Sequence, residues 1–287
     1  MKALFVLLQY LVPQHALSRI TGWLAELRHP LWLKNGMIAA FIRTFDVDMS
    51  EAEERYPQAF ANFNAFFTRR LRPAARPLAE ADLICPADGA VSQIGRIEES
   101  SLLQAKGRHF STWALLGGDE ERAAQFRDGH FATIYLSPRD YHRVHMPLDG
   151  ELVATRYVPG KLFSVNGATA EGVDRLFARN ERLICYFETS VGPMAMVLVG
   201  AMIVAGIDTV WEGQVAPPTR ALRDRDYRNL PAPVRLGRGE EMGRFKLGST
   251  VILLFPENVM QWDDALAAGS ATRLGQALGS CTHRTAG

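Results

Sequence analysis

The chain has 287 residues, 47% of them hydrophobic, and its 32 basic and 31 acidic side chains leave a formal net charge of +1. That length suits one large domain or two small ones, and the even charge excludes the strongly basic surface of a nucleic-acid binder. Three widely spaced cysteines (Cys85, Cys185 and Cys281) with no CxxC pair point to a reducing compartment and speak against a disulfide frame or a zinc site.

Residues 3–12 form an apolar run that stops at Pro13. It is shorter than the roughly 20 residues that span a bilayer, and no small-residue cleavage site follows it. Beyond it Leu17, Ile20, Leu24 and Leu27 recur at helical spacing, as do Ile38, Phe41, Ile42 and Phe45 past Pro30. Up to Arg43 the charges are Lys2, Arg19, Arg28, Lys34 and Arg43 against Glu26 alone, with Trp23 and Trp32 near the helix edges. Basic amphipathic helices of this kind suit the headgroup layer of an anionic membrane, and they equally suit packing on the protein's own core.

Ser50 and Glu53 have capping-box spacing and predict a helix from Glu51, broken or restarted at Pro57. Phe60, Phe63, Phe66, Phe67 and Leu71 continue as an apolar helical stripe expected in the core. Pro73 to Pro77 reads as a linker, which divides a helical segment (1–75) from a β-rich unit (76–287). In the latter, Ile84 precedes a turn at Pro86-Ala87-Asp88-Gly89, and Val91 and Ile94 resume a strand. Residues 98–130 read as an irregular surface loop leading through His130 to a strand at 131–136.

Ser137-Pro138-Arg139-Asp140 has the form of a helix start and predicts one helical turn, on which His142 and His145 would share a face. Strands are expected at Glu151 to Val158, Arg182 to Glu188, Met194 to Val199, Met202 to Ile207 and near Gln214. The uncharged run from Thr189 to Ile207 has the length of a membrane span, but its glycines, Pro193 and valines favour buried strands. Residues 220–238 read as an exposed charged loop. Phe245, Leu247, Ser249, Val251 and Leu253 then alternate as one strand face, with Gly248-Ser249 as a bulge. After Gln261 the pattern weakens towards a frayed end at 281–287. The class is α+β: N-terminal amphipathic helices plus a mainly antiparallel β-rich domain.

Ser249, His142, His145 and Asp88 are together the parts of a base-activated hydroxyl. A Gly-x-Ser-x-Gly elbow is absent around Ser249. The residues alone leave open a serine hydrolase using Ser249, His145 and Asp88, and a non-catalytic membrane-bound β-rich module.

Leu247-Gly248-Ser249-Thr250, the run Arg139 to Pro147 (RDYHRVHMP), Pro86-Ala87-Asp88-Gly89 and Gly160 to Asn166 (GKLFSVN) stand in order along the chain. With Val199-Gly200-Ala201 they resemble the bacterial phosphatidylserine decarboxylases of the membrane-associated, Gram-negative type, from about Phe60 to Gln276. The resemblance implies a proenzyme that cuts itself between Gly248 and Ser249, giving chains 1–248 and 249–287. Ser249 Oγ would attack the Gly248 carbonyl, where glycine spares the approach a crowding Cβ. His145 would take the proton, and Asp88 would hold the imidazole. The cofactor implied is a pyruvoyl group made from Ser249, which forms a Schiff base with the amine of phosphatidylserine and yields phosphatidylethanolamine and carbon dioxide. His142 would handle the carboxylate or return a proton to carbon, with His145 as its rival. The family further implies a homodimer lying peripherally on the cytoplasmic face of the inner membrane. The rival with the same chemistry is a pyruvoyl decarboxylase of a soluble amino acid, which would have no use for the amphipathic N-terminus.

Overall fold

The computed structural model describes residues 2–202, 206–216, 221–246 and 248–282, with side chains from Phe5 onward. Three helices open the chain: α1 (Lys2–Leu11), α2 (Gln14–Ala25) and α3 (Leu31–Phe45). Pro13 and Pro30 stand just before α2 and α3, where a missing N–H breaks no helical hydrogen bond. Among the described residues no helix is long and apolar enough to cross a membrane.

The helices are tied to the body by polar as well as apolar contacts. Gln9 and Gln14 are buried, and their side-chain oxygens accept from the backbone N–H groups of Ser164 and Leu162, both at 2.8 Å. Those two donors would otherwise be buried unpaired, which is costly. Around α3, Phe41 packs edge-on against Phe63, Phe66 and Phe67. The last three lie on α4 (Phe63–Phe67), capped by Asn62, and Leu71 falls beyond it.

The helix expected from Glu51 does not form. The Ser50 N–H turns back to Asp48 Oδ1 at 2.7 Å, and Ala52 instead bridges the extended Leu71. Residues 98–130 are more ordered than expected. They hold a hairpin (Ser101–Ala105 with Arg108–Ser111) and two short helices (Thr112–Leu115 and Glu120–Ala124) capped by Ser111 and Asp119. Helices of four and five residues are too short to show a period.

The body is built on a nine-stranded sheet whose named strands all pair antiparallel. At its centre lies Ser249–Phe255, bonded to Gly192–Gly200 on one side and His130–Leu136 on the other. Ile252 and Leu254 face one apolar core, and Val251, Leu253 and Phe255 face a second, all fully buried. Gly150–Val158, Arg182–Thr189 and Gly89–Arg96 complete the inner strands. The charged stretch 220–238 contributes two short edge strands, Arg223–Asp226 and Arg235–Leu236, where a loop was expected.

A four-stranded sheet joins Gly213–Ala216, Gly206–Thr209, Glu241–Lys246 and Arg143–His145. A three-stranded sheet uses Leu83–Ile84, Ala277–Cys281 and Met260–Trp262, so the chain past Gln261 remains structured. Leu247, Arg220, residues 203–205 of the expected Met202 to Ile207 strand, and residues 283–287 of the expected frayed end lie outside the described residues.

Candidate active site

Three strands of the large sheet stop where three strands of the small one begin. His130–Leu136 gives way to Arg143–His145, Gly192–Gly200 to Gly206–Thr209, and Glu241–Lys246 to Ser249–Phe255. Ser249 pairs with Leu136 and Gly200 in the large sheet, and Arg244 with Arg143 in the small one. The Phe245 N–H donates to the His142 carbonyl at 3.0 Å, so the histidine segment and the approach to Ser249 run side by side across the seam.

The expected single strand through Phe245 and Leu253 is therefore two strands in two sheets. The chain leaves the first at Gly248, whose φ is +69°. Apart from its chain neighbours, a Cβ added there would meet no heavy atom within 4 Å. The left-handed backbone demands glycine here. An L-residue there costs about 1–2 kcal/mol. Gly248→Ala is accordingly expected to lower the folding stability by that amount, read as a drop in the midpoint of denaturant unfolding. An unchanged midpoint would remove the conformational argument.

The helical turn expected from Ser137 is absent as well. Asp140 Oδ2 accepts from both the N–H and the hydroxyl of Ser137, at 2.6 and 2.7 Å, which closes a turn by the reverse of an N-cap. Residues 143–145 are then a strand, and His142 stands just before it. The helical spacing that would place His142 and His145 on one face is therefore absent.

His142 is fully buried, its ring centroid 4.0 Å from that of Phe67. Nδ1 lies 2.9 Å from the Asp140 carbonyl, which can only accept, so Nδ1 carries the proton. Burial pushes the imidazole pKa down to about 3, which keeps the ring neutral. Its Nε2 is then a bare acceptor, and it has no hydrogen-bond partner.

His145 is only partly buried. Its Nδ1 lies 2.8 Å from the Gly239 carbonyl and its Nε2 3.1 Å from the Tyr141 hydroxyl. Gly239 fixes the proton on Nδ1 by the same reasoning, and Tyr141 donates to Nε2. Burial lowers this imidazole's pKa too, against the raising influence of the Gly239 carbonyl. The Tyr141 hydroxyl is pushed up by burial and stays protonated.

Asp88 does not grip this imidazole. Its carboxylate takes a two-pronged contact from Arg76, with Nε at 2.9 Å, and the Leu274 N–H at 2.8 Å. Arg76 in turn reaches Glu51 at 2.8 Å. Among the described residues no hydrogen bond joins Asp88 to His145. The tie is indirect: the His145 N–H donates to Pro86 O at 2.9 Å, two residues before Asp88, and the Asp88 charge is the last of the influences that raise the imidazole pKa. A fork–fork arginine contact outcompetes a neutral imidazole for a carboxylate.

Ser249 itself is fully buried, and its Oγ has no hydrogen-bond partner. A buried hydroxyl left unpaired is costly and rare, and such groups concentrate where chemistry is done. Arg76, Tyr141 and Gly239 were not singled out from sequence. Arg76 sat in an expected linker, Tyr141 lay inside the quoted motif without a role, and Gly239 acts through a carbonyl that every residue possesses.

Residues 63–280 match a family described as Phosphatidylserine decarboxylase, and residues 4–46 match a second described only as PSD. A phosphatidylserine decarboxylase proenzyme of Ectopseudomonas mendocina is 58% identical over 280 residues, which cover 96% of this chain and 98% of that protein. The proenzyme of the same name from Azotobacter vinelandii is 57% identical over 282 residues (97% and 98%), and that of Pseudomonas putida strain GB-1 is 57% identical over 278 (96% of each). The chain belongs to the phosphatidylserine decarboxylase family. The stretch that matches the decarboxylase family takes in both sheets and Asp88, His142, His145, Gly248 and Ser249 together.

Proposed function

We propose that this protein is a self-processing decarboxylase that converts phosphatidylserine to phosphatidylethanolamine and carbon dioxide, using a pyruvoyl group made from its own Ser249. The observation that carries the reading is a buried, unpartnered Ser249 hydroxyl next to a left-handed Gly248, where two sheets meet, in a chain of this family. Ser249 Oγ attacks the Gly248 carbonyl carbon, and the peptide becomes an ester. The proton passes to His145 Nε2, the neutral, lone-pair-bearing nitrogen, in place of the hydrogen bond now given by Tyr141. Asp88 contributes its charge at a distance to the imidazolium so formed. His145 returns that proton to the amine nitrogen of position 249, and loss of the Cα proton to the freed base then breaks the Cβ–Oγ bond and frees the Gly248 carboxylate. The dehydroalanine left behind tautomerises to an imine, which water hydrolyses to the ketone with release of ammonia. The site fits such a group: position 249 is fully buried, and its side chain makes no hydrogen bond that the conversion would break.

The pyruvoyl ketone supplies an electron sink into which the substrate's carboxyl bond can break. His142 Nε2 is a bare acceptor, so it does not suit binding a carboxylate; it suits taking a proton from the incoming substrate amine and returning it to the carbon left behind. His142→Ala is expected to cut itself normally while decarboxylation falls by about 10²- to 10⁴-fold. Normal turnover in that variant would remove His142 from the chemistry.

The hydrolase reading differs in its products: Ser249 would keep its hydroxyl, and the chain would stay in one piece. The deciding experiment is the intact mass of denatured, purified protein, together with carbon dioxide release from phosphatidylserine vesicles. Two chains divided at 248/249, the smaller reacting with a carbonyl reagent, support the reading. A single uncut chain sinks it.

Residues 1–75 belong to the proposal as the membrane-associating segment, beside a catalytic unit at 76–287. Leu7, Leu8 and Leu11 on α1 and Ile20 and Trp23 on α2 are exposed and apolar. Lipid contact explains such a surface, since burying each large apolar side chain is worth about 1.5–3 kcal/mol. Deleting residues 1–45 would also strip Ala25, Ile38 and Phe41 from the Phe60–Phe67 cluster, so point changes test this more cleanly. Leu11→Asp with Trp23→Asp is expected to release the protein from anionic vesicles with cleavage unchanged. Undiminished flotation of that variant counts against membrane contact. The homodimer and the peripheral place on the cytoplasmic face of the inner membrane complete the proposal, on the strength of the resemblance.

A further inference from the structure

At the elbow between α1 and α2, a cavity of about 340 Å³ is lined by His15, Arg19, Lys161 and Arg179, with Tyr10 and Phe163 as aromatic walls. No acidic side chain lines it. It shares no lining residue with Asp88, His142, His145 or Ser249. Its cations also stand without counter-charges. Arg76, Arg143 and Arg156 on the body are each neutralised by a carboxylate within 3 Å, whereas Arg19, Lys161 and Arg179 make no ion pair among the described residues.

Arg179 is instead held in place by aromatic groups. Its guanidinium lies over Phe163 at 5.0 Å and Tyr10 at 5.6 Å, and Nη1 donates to the Tyr10 hydroxyl at 3.2 Å. A cation fixed this way keeps donors free while losing little freedom on binding. The cavity walls come from both partners of the docking contact: Tyr10 from α1, Arg19 from α2, and Lys161 from the loop that Gln9 and Gln14 tie down. The outward surface around it carries Leu11, exposed at 75%, and Trp23, at 65%.

We propose that this cavity binds the phosphodiester of an anionic membrane lipid, as a site separate from the catalytic centre. Unpaired cations call for an anion, and the apolar belt beside them places the cavity at headgroup depth once those side chains enter the bilayer. A soluble phosphate compound would account for the cations alone, and a lipid accounts for both. The inference rests on the reading of α1 and α2 as membrane-contacting.

The test is flotation of full-length protein with phosphatidylcholine vesicles containing phosphatidylglycerol. Three proteins are compared: wild type, Arg19→Gln with Lys161→Gln, and a charge-matched control, Arg28→Gln with Arg43→Gln. Normal cleavage at 248/249 verifies folding of each. The control pair measures the diffuse attraction of any cation near an anionic surface. The cavity pair is expected to weaken vesicle binding by at least about tenfold more than the control pair, because charge-assisted hydrogen bonds to the phosphodiester are lost as well. Equal losses in both pairs would mean diffuse attraction and overturn the site while leaving membrane contact intact. Wild-type protein that fails to float at all overturns the membrane reading and this inference with it. Calorimetric binding of inorganic phosphate that needs Arg19 and Lys161, with flotation equal in both pairs, would reassign the cavity to a soluble ligand.

Discussion

Ser249→Ala is expected to run as one uncut chain of full mass and to release carbon dioxide from phosphatidylserine at background, a loss of at least about a thousandfold. Both effects come from one side chain, because Oγ is the nucleophile for the cut and its departure with the Gly248 carboxylate is what lets the Cα of position 249 become the ketone. The substitution also tests cleanly for folding. Ser249 Oγ has no hydrogen-bond partner, so removing it breaks no bond and leaves the strand between Gly200 and Leu136 in place. The uncut variant should therefore melt cooperatively and float with vesicles as the wild type does. Two chains from Ser249→Ala would show that the nucleophile lies elsewhere.

His145→Ala is expected to slow the cut by about 10²- to 10⁴-fold, the usual worth of a positioned general base. The pH profile of the wild type gives an independent reading. The cut needs the neutral imidazole, and burial lowers the pKa of that imidazole below the ordinary 6.5. The ring therefore stays basic as pH falls through 6.5, and the half-maximal rate on the acid side should lie below that value. Tyr141→Phe is the control: it frees Nε2 and should keep cleavage, since the Gly239 contact that fixes the tautomer remains. A cleavage midpoint at or above pH 6.5, or a His145→Ala protein that matures at the normal rate, would set His145 aside as the base.

Much of this molecule could be read from its sequence, and the failures share a cause. The inner strands are long, apolar and β-branched, so Ser249–Phe255 and Gly192–Gly200 announce themselves, and so do the amphipathic α2 and α3. Errors gather where a local signal serves two structures. Ser137-Pro138-Arg139-Asp140 has the composition of a helix start, yet strand pairing of Arg143 with Arg244 pulls the following residues straight. Ser50 and Glu53 have the spacing of a capping box, but Ala52 is taken up by Leu71. The alternation from Phe245 to Leu253 is real in both strands, and only the positive φ at Gly248 shows that they belong to different sheets. The motifs singled out Asp88, His142, His145 and Ser249, whereas their contacts were not legible, because the grip of Arg76 on Asp88 crosses 12 residues and that of Gly239 on His145 crosses 94.

Lys246 is the last residue of one ladder and Ser249 the first of another, so a cut between 248 and 249 severs the polypeptide without breaking a single rung of either. On the proposed cut, the shorter fragment would enter maturity as the middle plank of the large sheet, gripped along both margins. One molecule would become two chains that never had to associate. Unfolding would then liberate two bodies, and mass action would enter where the precursor knew only a unimolecular equilibrium.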